Sequence, residues 1–162
     1  MKYIGEDNMN PIQLRTYIIK PTLEHLNLYS KEAETLVLAT ACAESKCGEY
    51  IHQINGPALG IYQMEPATAK DIIMNFLRFR PELWKKVQEL MIPTLSVEEN
   101  LICNLRFATA MCRMQYLRDK QPLPRTAEEM AETWKRVYNT PLGKGTPEEF
   151  LMRWNLIEGG IQ

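Results

Sequence analysis

Leu36-Val37-Leu38-Ala39-Thr40-Ala41-Cys42-Ala43-Glu44-Ser45 is the stretch on which the reading of this chain turns. Eight uncharged residues, rich in small side chains, lead into a single glutamate. Ser30 supplies an N-cap for a helix over residues 31–46, with Glu32 and Glu34 in its first turns, and Gly48 is placed to stop it. A helix this apolar packs against neighbours on most of its sides. Val37, Ala41 and Glu44 fall at i, i+4 and i+7 and so share a face. Glu44 then sits in an apolar setting and at the negative end of the helix dipole, and both effects raise a carboxyl pKa. An acid still protonated near neutral pH is what protonation of a glycosidic oxygen requires. The same residue also reads as a helix-end glutamate that reaches into solvent or pairs with Lys46.

Outward from this helix the punctuation is helical nearly throughout. Asn10-Pro11-Ile12-Gln13 opens a first helix that runs to about residue 28 and is kinked or restarted near Pro21. Residues 48–64 differ. Gly48, Asn55, Gly56, Pro57 and Gly60 alternate with short apolar stretches, which predicts a loop or a small β-hairpin. After Pro66, apolar residues at helical spacing give one helix up to Pro81 and another up to Pro93. Ser96-Val97-Glu98-Glu99 is a capping box that opens a long helix to about residue 119. Thr126-Ala127-Glu128-Glu129 and Thr146-Pro147-Glu148-Glu149 open two more. The expectation is a mainly α single domain of about seven helices over residues 1–162, with one small irregular segment. Its aromatic and Met stripes are expected in the core.

Composition narrows the function classes. The chain has 162 residues, 45% of them hydrophobic, and a net charge of −1. Length and composition fit one globular domain with a substantial core. The charge argues against nucleic-acid binding through a basic field and against electrostatic docking on an anionic membrane or wall. No apolar run approaches the roughly 20 residues of a membrane span. The start, Met1-Lys2-Tyr3-Ile4-Gly5-Glu6-Asp7, turns acidic where a signal core would begin, so synthesis without a signal peptide is expected. Cys42, Cys47, Cys103 and Cys112 form no CxxC pair, and His25 and His52 stand alone. These spacings point to no zinc site, and the thiols read as free in a reducing compartment, with Cys42 and Cys112 as packing residues.

Four segments carry a family resemblance. They are Glu44-Ser45; Gly60-Ile61-Tyr62-Gln63-Met64-Glu65-Pro66-Ala67-Thr68-Ala69; Glu99-Asn100-Leu101 with Tyr116-Leu117; and Val137-Tyr138-Asn139. In this order and approximate spacing the chain resembles the soluble lytic transglycosylases and the related goose-type lysozymes over roughly residues 30–140. Gly56-Pro57-Ala58 and the compact length resemble the small phage-encoded members.

The resemblance implies a lysozyme-like fold that cleaves peptidoglycan glycan strands between N-acetylmuramic acid and N-acetylglucosamine, without metal or organic cofactor. Glu44 is then the catalytic acid. Ser45 supports the site through a hydrogen bond near the substrate, and Gly60 lets the chain approach the sugar. Ile61, Tyr62 and Gln63 belong to the substrate-binding segment, with Tyr62 and Gln63 lining the cleft. Tyr138 orients the acid, and Asn139 holds that turn. Core packing is the alternative for Tyr138.

Glu65 departs from the transglycosylase pattern and stands where goose-type lysozymes carry an Asp. It reads either as a base for an attacking water or as a charge favouring a helix N-terminus. His52 and Glu49 read as exposed loop residues. The expected setting is a phage: an endolysin released through the membrane, or a virion-associated protein. Two alternatives stay open, chitin oligomers as substrate, and a non-enzymatic virion or glycan-binding protein on a lysozyme-like scaffold.

Overall fold

The computed structural model describes residues 8–161. The acidic start on which the absence of a signal core was read lies outside them. Nine α-helical segments occur among the described residues: α1 (Pro11–Leu14), α2 (Lys20–His25), α3 (Lys31–Ser45), α4 (Pro66–Asn75), α5 (Pro81–Glu89), α6 (Val97–Cys103), α7 (Leu105–Leu117), α8 (Ala127–Thr133) and α9 (Pro147–Ile161). The protein is mainly helical, as expected, and no strand occurs among the described residues.

Two interruptions raise the count from the expected seven. The first helix passes through a π-helical stretch, Arg15–Ile19, before continuing as α2 to His25. Pro21 has no N–H to offer the preceding turn and its ring crowds that turn's carbonyl, so the ladder widens there. The long helix expected over residues 96–119 is also two helices. Asn104 adopts an extended conformation, and its side chain accepts from the Phe107 N–H at 3.1 Å while donating to the Leu90 carbonyl at 2.7 Å. A residue able to cap its own backbone makes such a break inexpensive.

The predicted caps are present. Asn10, Ser30, Ser96, Thr126 and Thr146 each accept a backbone N–H from the first turn that follows. Each such cap contributes about 1 kcal/mol. The end of α3 differs from expectation. Its stop comes at Lys46 and Cys47, both left-handed, immediately before Gly48.

Residues 48–64 form three antiparallel passes joined by single bridges, His52 to Leu59 and Leu59 to Met64. The Gly60 N–H donates to the Ile51 carbonyl at 2.7 Å, and Leu59 and Met64 exchange bonds of 2.9 and 3.0 Å. Turn residues keep each pass too short for a strand.

Helix α3 is the central rod. It packs against α7, α9 and the π-helical stretch of the first helix. From Leu36 to Ala43 every residue is buried. Each large side chain in this run contributes about 1.5–3 kcal/mol by leaving water. A first core surrounds α3 and includes Trp134, Phe150 and Trp154. A second, built on Ile72, Leu77, Leu101, Phe107 and Met111, fills the α4–α7 side, and Tyr138 packs against both. No helix among the described residues is long and apolar enough to cross a membrane.

Candidate active site

A cleft of about 610 Å³ opens at the C-terminal end of α3. Ala43, Glu44 and Tyr50 form one wall, and Gln63, Met64, Glu65 and Thr68 form another. Trp134, Tyr138 and Asn139, the following loop and the start of α9 close it.

Glu44 is the perturbed acid of this cleft. Burial pushes its pKa from the usual 4.5 up to about 7. Two favourable contacts oppose that rise: a hydrogen bond from the Trp134 indole and the charge of Arg153. The Trp134 Nε1–H donates to Glu44 Oε1 at 2.9 Å. The Arg153 guanidinium donates to the Ala43 carbonyl, one residue before the acid. The Tyr50 hydroxyl donates to the Glu44 backbone carbonyl at 2.8 Å, which satisfies an end of the helix that would otherwise lack a donor. Burial is thus the dominant effect, as the apolar run before Glu44 predicts.

Trp134 opens a π-helical stretch that runs to Asn139. A widened turn changes which side chains face the same way, and such turns recur at functional sites. The indole also stacks at a tilt on Phe150, with ring centroids 5.4 Å apart, so packing fixes its orientation. Gly145 lies against its outer edge, where a Cβ would sit 2.5 Å from the ring.

Several sequence-based expectations need correction. Tyr138 does not bond the acid. Its hydroxyl donates to the Tyr62 carbonyl at 2.8 Å, and its ring stacks on Tyr116 at 5.4 Å. It ties the π-helical turn to the Gln63 wall, and Trp134 holds the carboxyl instead. Tyr62 is buried rather than lining the cleft, and its hydroxyl pairs with Thr109 at 2.8 Å. Ile61 is likewise a core residue.

Gly60 does not lie against the cleft either. It has φ +76°, and a Cβ there would collide with the Leu101 carbonyl. The missing side chain serves packing against α6. Ser45 is fully buried. Its hydroxyl donates to the Ile61 carbonyl at 2.6 Å and accepts from the Gly48 N–H at 2.9 Å, joining α3 to the irregular segment without touching the cleft.

Besides Glu44 and Tyr138, three expected residues line the cleft: Gln63, Glu65 and Asn139. Gln63 has φ +49°, and its amide donates to the Gly60 carbonyl at 2.9 Å. Asn139 accepts from Lys135 Nζ at 2.8 Å, and the same ammonium donates to the Gly143 carbonyl at 2.8 Å, which fastens the loop at the cleft rim. Glu65 is exposed at the N-terminus of α4 and makes no capping hydrogen bond, so its carboxylate is free to face the cleft.

Compared with protein-family models, curated proteins and solved structures, the chain shows no match. The chemistry of the cleft therefore rests on its own geometry. A half-buried carboxyl with a raised pKa and an exposed carboxyl line one open groove. That pair offers a proton donor and a proton acceptor. No group of three His, Cys, Asp or Glu placed to hold a metal occurs among the described residues.

Trp134 and Arg153 are the residues that sequence reading missed. Trp134 sits in an apolar stripe and reads as core, which it also is. Its lone indole N–H, which needs a partner when buried, was the available signal. Arg153 lies far along the chain on α9 and gave none.

Proposed function

We propose that this protein is a glycosidase with a lysozyme-like fold that cleaves peptidoglycan glycan strands between N-acetylmuramic acid and N-acetylglucosamine. The observation that carries the reading is the cleft carboxyl of Glu44, raised to about 7 and aimed by the Trp134 indole. The sequence resemblance supplies the substrate class and supports a phage setting, as an endolysin or a virion component.

Glu44 donates its proton to the glycosidic oxygen as the C1–O bond breaks, and positive charge develops on the sugar ring. The carboxylate left behind is stabilised by the Trp134 hydrogen bond and by Arg153. Two completions are chemically balanced. In one, Glu65 takes a proton from a water that attacks C1, giving a reducing end. In the other, the sugar's own C6 hydroxyl attacks and returns its proton to Glu44, giving an anhydro end. An exposed carboxylate lining the cleft favours the first. It lies on the wall formed by the start of α4, whereas Glu44 ends α3, so the two groups approach the groove from different elements.

Digestion of purified peptidoglycan followed by mass spectrometry of the fragments tests this. Reducing muramic ends are expected from the wild type and anhydro ends from Glu65→Gln. Absence of fragments from several wall types would refute the enzymatic reading and leave a glycan-binding scaffold.

A further inference from the structure

Cys42 and Cys47 take no part in the chemistry described above, yet they flank Glu44 along the chain. Cys42 lies in the last turn of α3. The chain then folds back through Lys46 and Cys47, with φ of 51° and 57°, two successive left-handed residues that are not glycine. Backbone bonds hold that reversal: the Cys47 N–H donates to the Ala41 carbonyl at 3.1 Å, and the Cys47 carbonyl accepts from the Met9 N–H at 2.9 Å. The outcome is that the two Sγ atoms face each other at 2.6 Å, both buried. Cys112 is also buried, whereas Cys103 is exposed.

We propose that Cys42 and Cys47 are a redox pair that forms a disulfide when the folded protein meets a small-molecule disulfide, closing a ring of residues 42–47 around Glu44 and Ser45. One cysteine thiolate attacks the small disulfide and releases one thiol. The second cysteine then attacks the mixed disulfide and releases the other. The two protein thiols lose two electrons and two protons, and the oxidant becomes two thiols. Burial pushes the Cys42 thiol well above its usual pKa, so the closed turn reacts slowly and exchange proceeds through its local opening. A reducing compartment keeps the pair open and an oxidising one closes it. The bond restrains the end of α3 that presents the acid, whatever the substrate of the cleft.

The test uses the full wild-type chain, folded, with excess oxidised glutathione. Remaining thiols are then alkylated in denaturant, and the protein is digested with trypsin. Cleavage after Lys46 opens the ring, so a bridge leaves peptides 32–46 and 47–70 joined until reduced. The expected product is about 2 Da lighter than the dithiol at this pair, with Cys103 carrying glutathione and Cys112 alkylated. Cys42→Ser and Cys47→Ser each remove the joined peptides. The proposal is overturned if Cys42 and Cys47 are both recovered alkylated while Cys103 is fully glutathionylated. It is also overturned if the bridge appears only when oxidation is carried out in urea.

Discussion

The two walls of the cleft carry the same functional group and treat it in opposite ways. Glu44 ends a buried helix, at the dipole's negative pole, among apolar side chains. Its carboxyl is pushed up to about 7, with one indole N–H bonded to it. Glu65 begins a helix, at the pole that favours negative charge, exposed and without a capping bond. In the proposed mechanism, helix polarity and burial, rather than residue type, divide proton donor from proton acceptor. The two walls also differ in what they ask of the fold. The Glu44 wall spends folding stability to keep a proton, whereas the Glu65 wall needs only solvent.

The largest effect should come from removing the proton on the first wall. Glu44→Gln keeps an acceptor for Trp134 but has no proton to give. Cleavage should fall by about 10³-fold, within the usual range for a general acid, with an unchanged circular dichroism spectrum. Equal activity in this variant would end the assignment of the acid.

The same substitution should raise stability at high pH. The folded pKa of Glu44 lies above its usual 4.5, so the native state holds a proton that the unfolded state gives up. Stability is therefore undiminished below about pH 4.5 and falls as pH rises towards 7. The full cost is about 3 kcal/mol for a shift of this size. Urea melts should show Glu44→Gln more stable than wild type at pH 8 by up to about that amount, and equal to it at pH 4.

The second wall should respond less, and selectively. Glu65→Gln should lower reducing-end products by about 10²-fold while costing at most about 1 kcal/mol of fold stability, the worth of an exposed charge at a helix N-terminus. Loss of reducing products with no anhydro products in their place would mean that Glu65 binds substrate rather than activates water.

The smallest effect belongs to the residue that joins acid to fold. Trp134→Phe removes a bond that stabilises the carboxylate, so the Glu44 pKa should rise further. NMR titration of the Glu44 side-chain carboxyl should record an upward move of about half a unit to one unit, the scale of a single hydrogen bond. A downward move would contradict the role of the indole.

Much of this division was legible in the sequence. The uncharged run from Leu36 to Ala43 predicts burial before Glu44, and Glu65-Pro66 predicts a helix start. The five caps were legible because a capping side chain acts within one turn of chain. The contacts that cross the fold were not. Tyr138 and Trp134 are four residues apart in an apolar stripe, and ordinary helical spacing gives them one face. Their polar atoms nonetheless take different partners, Trp134 the acid and Tyr138 the Tyr62 carbonyl. Gly60 and Ser45 stand out in the sequence, but their partners do not. What they meet, the Leu101 and Ile61 carbonyls, is set by tertiary packing. The break at Asn104 is not legible because Asn is tolerated inside helices and caps a new one only when its neighbours permit.

The pH dependence of peptidoglycan cleavage is the most direct test of the central claim that Glu44 is a buried acid at work in this cleft. Release of glycan fragments by the wild type should fall as pH rises, with a midpoint near 7, because only the protonated carboxyl donates. Glu44→Gln should show no such limb above its residual rate. A wild-type profile that stays flat through pH 7, or a limb that survives in Glu44→Gln, would contradict the account.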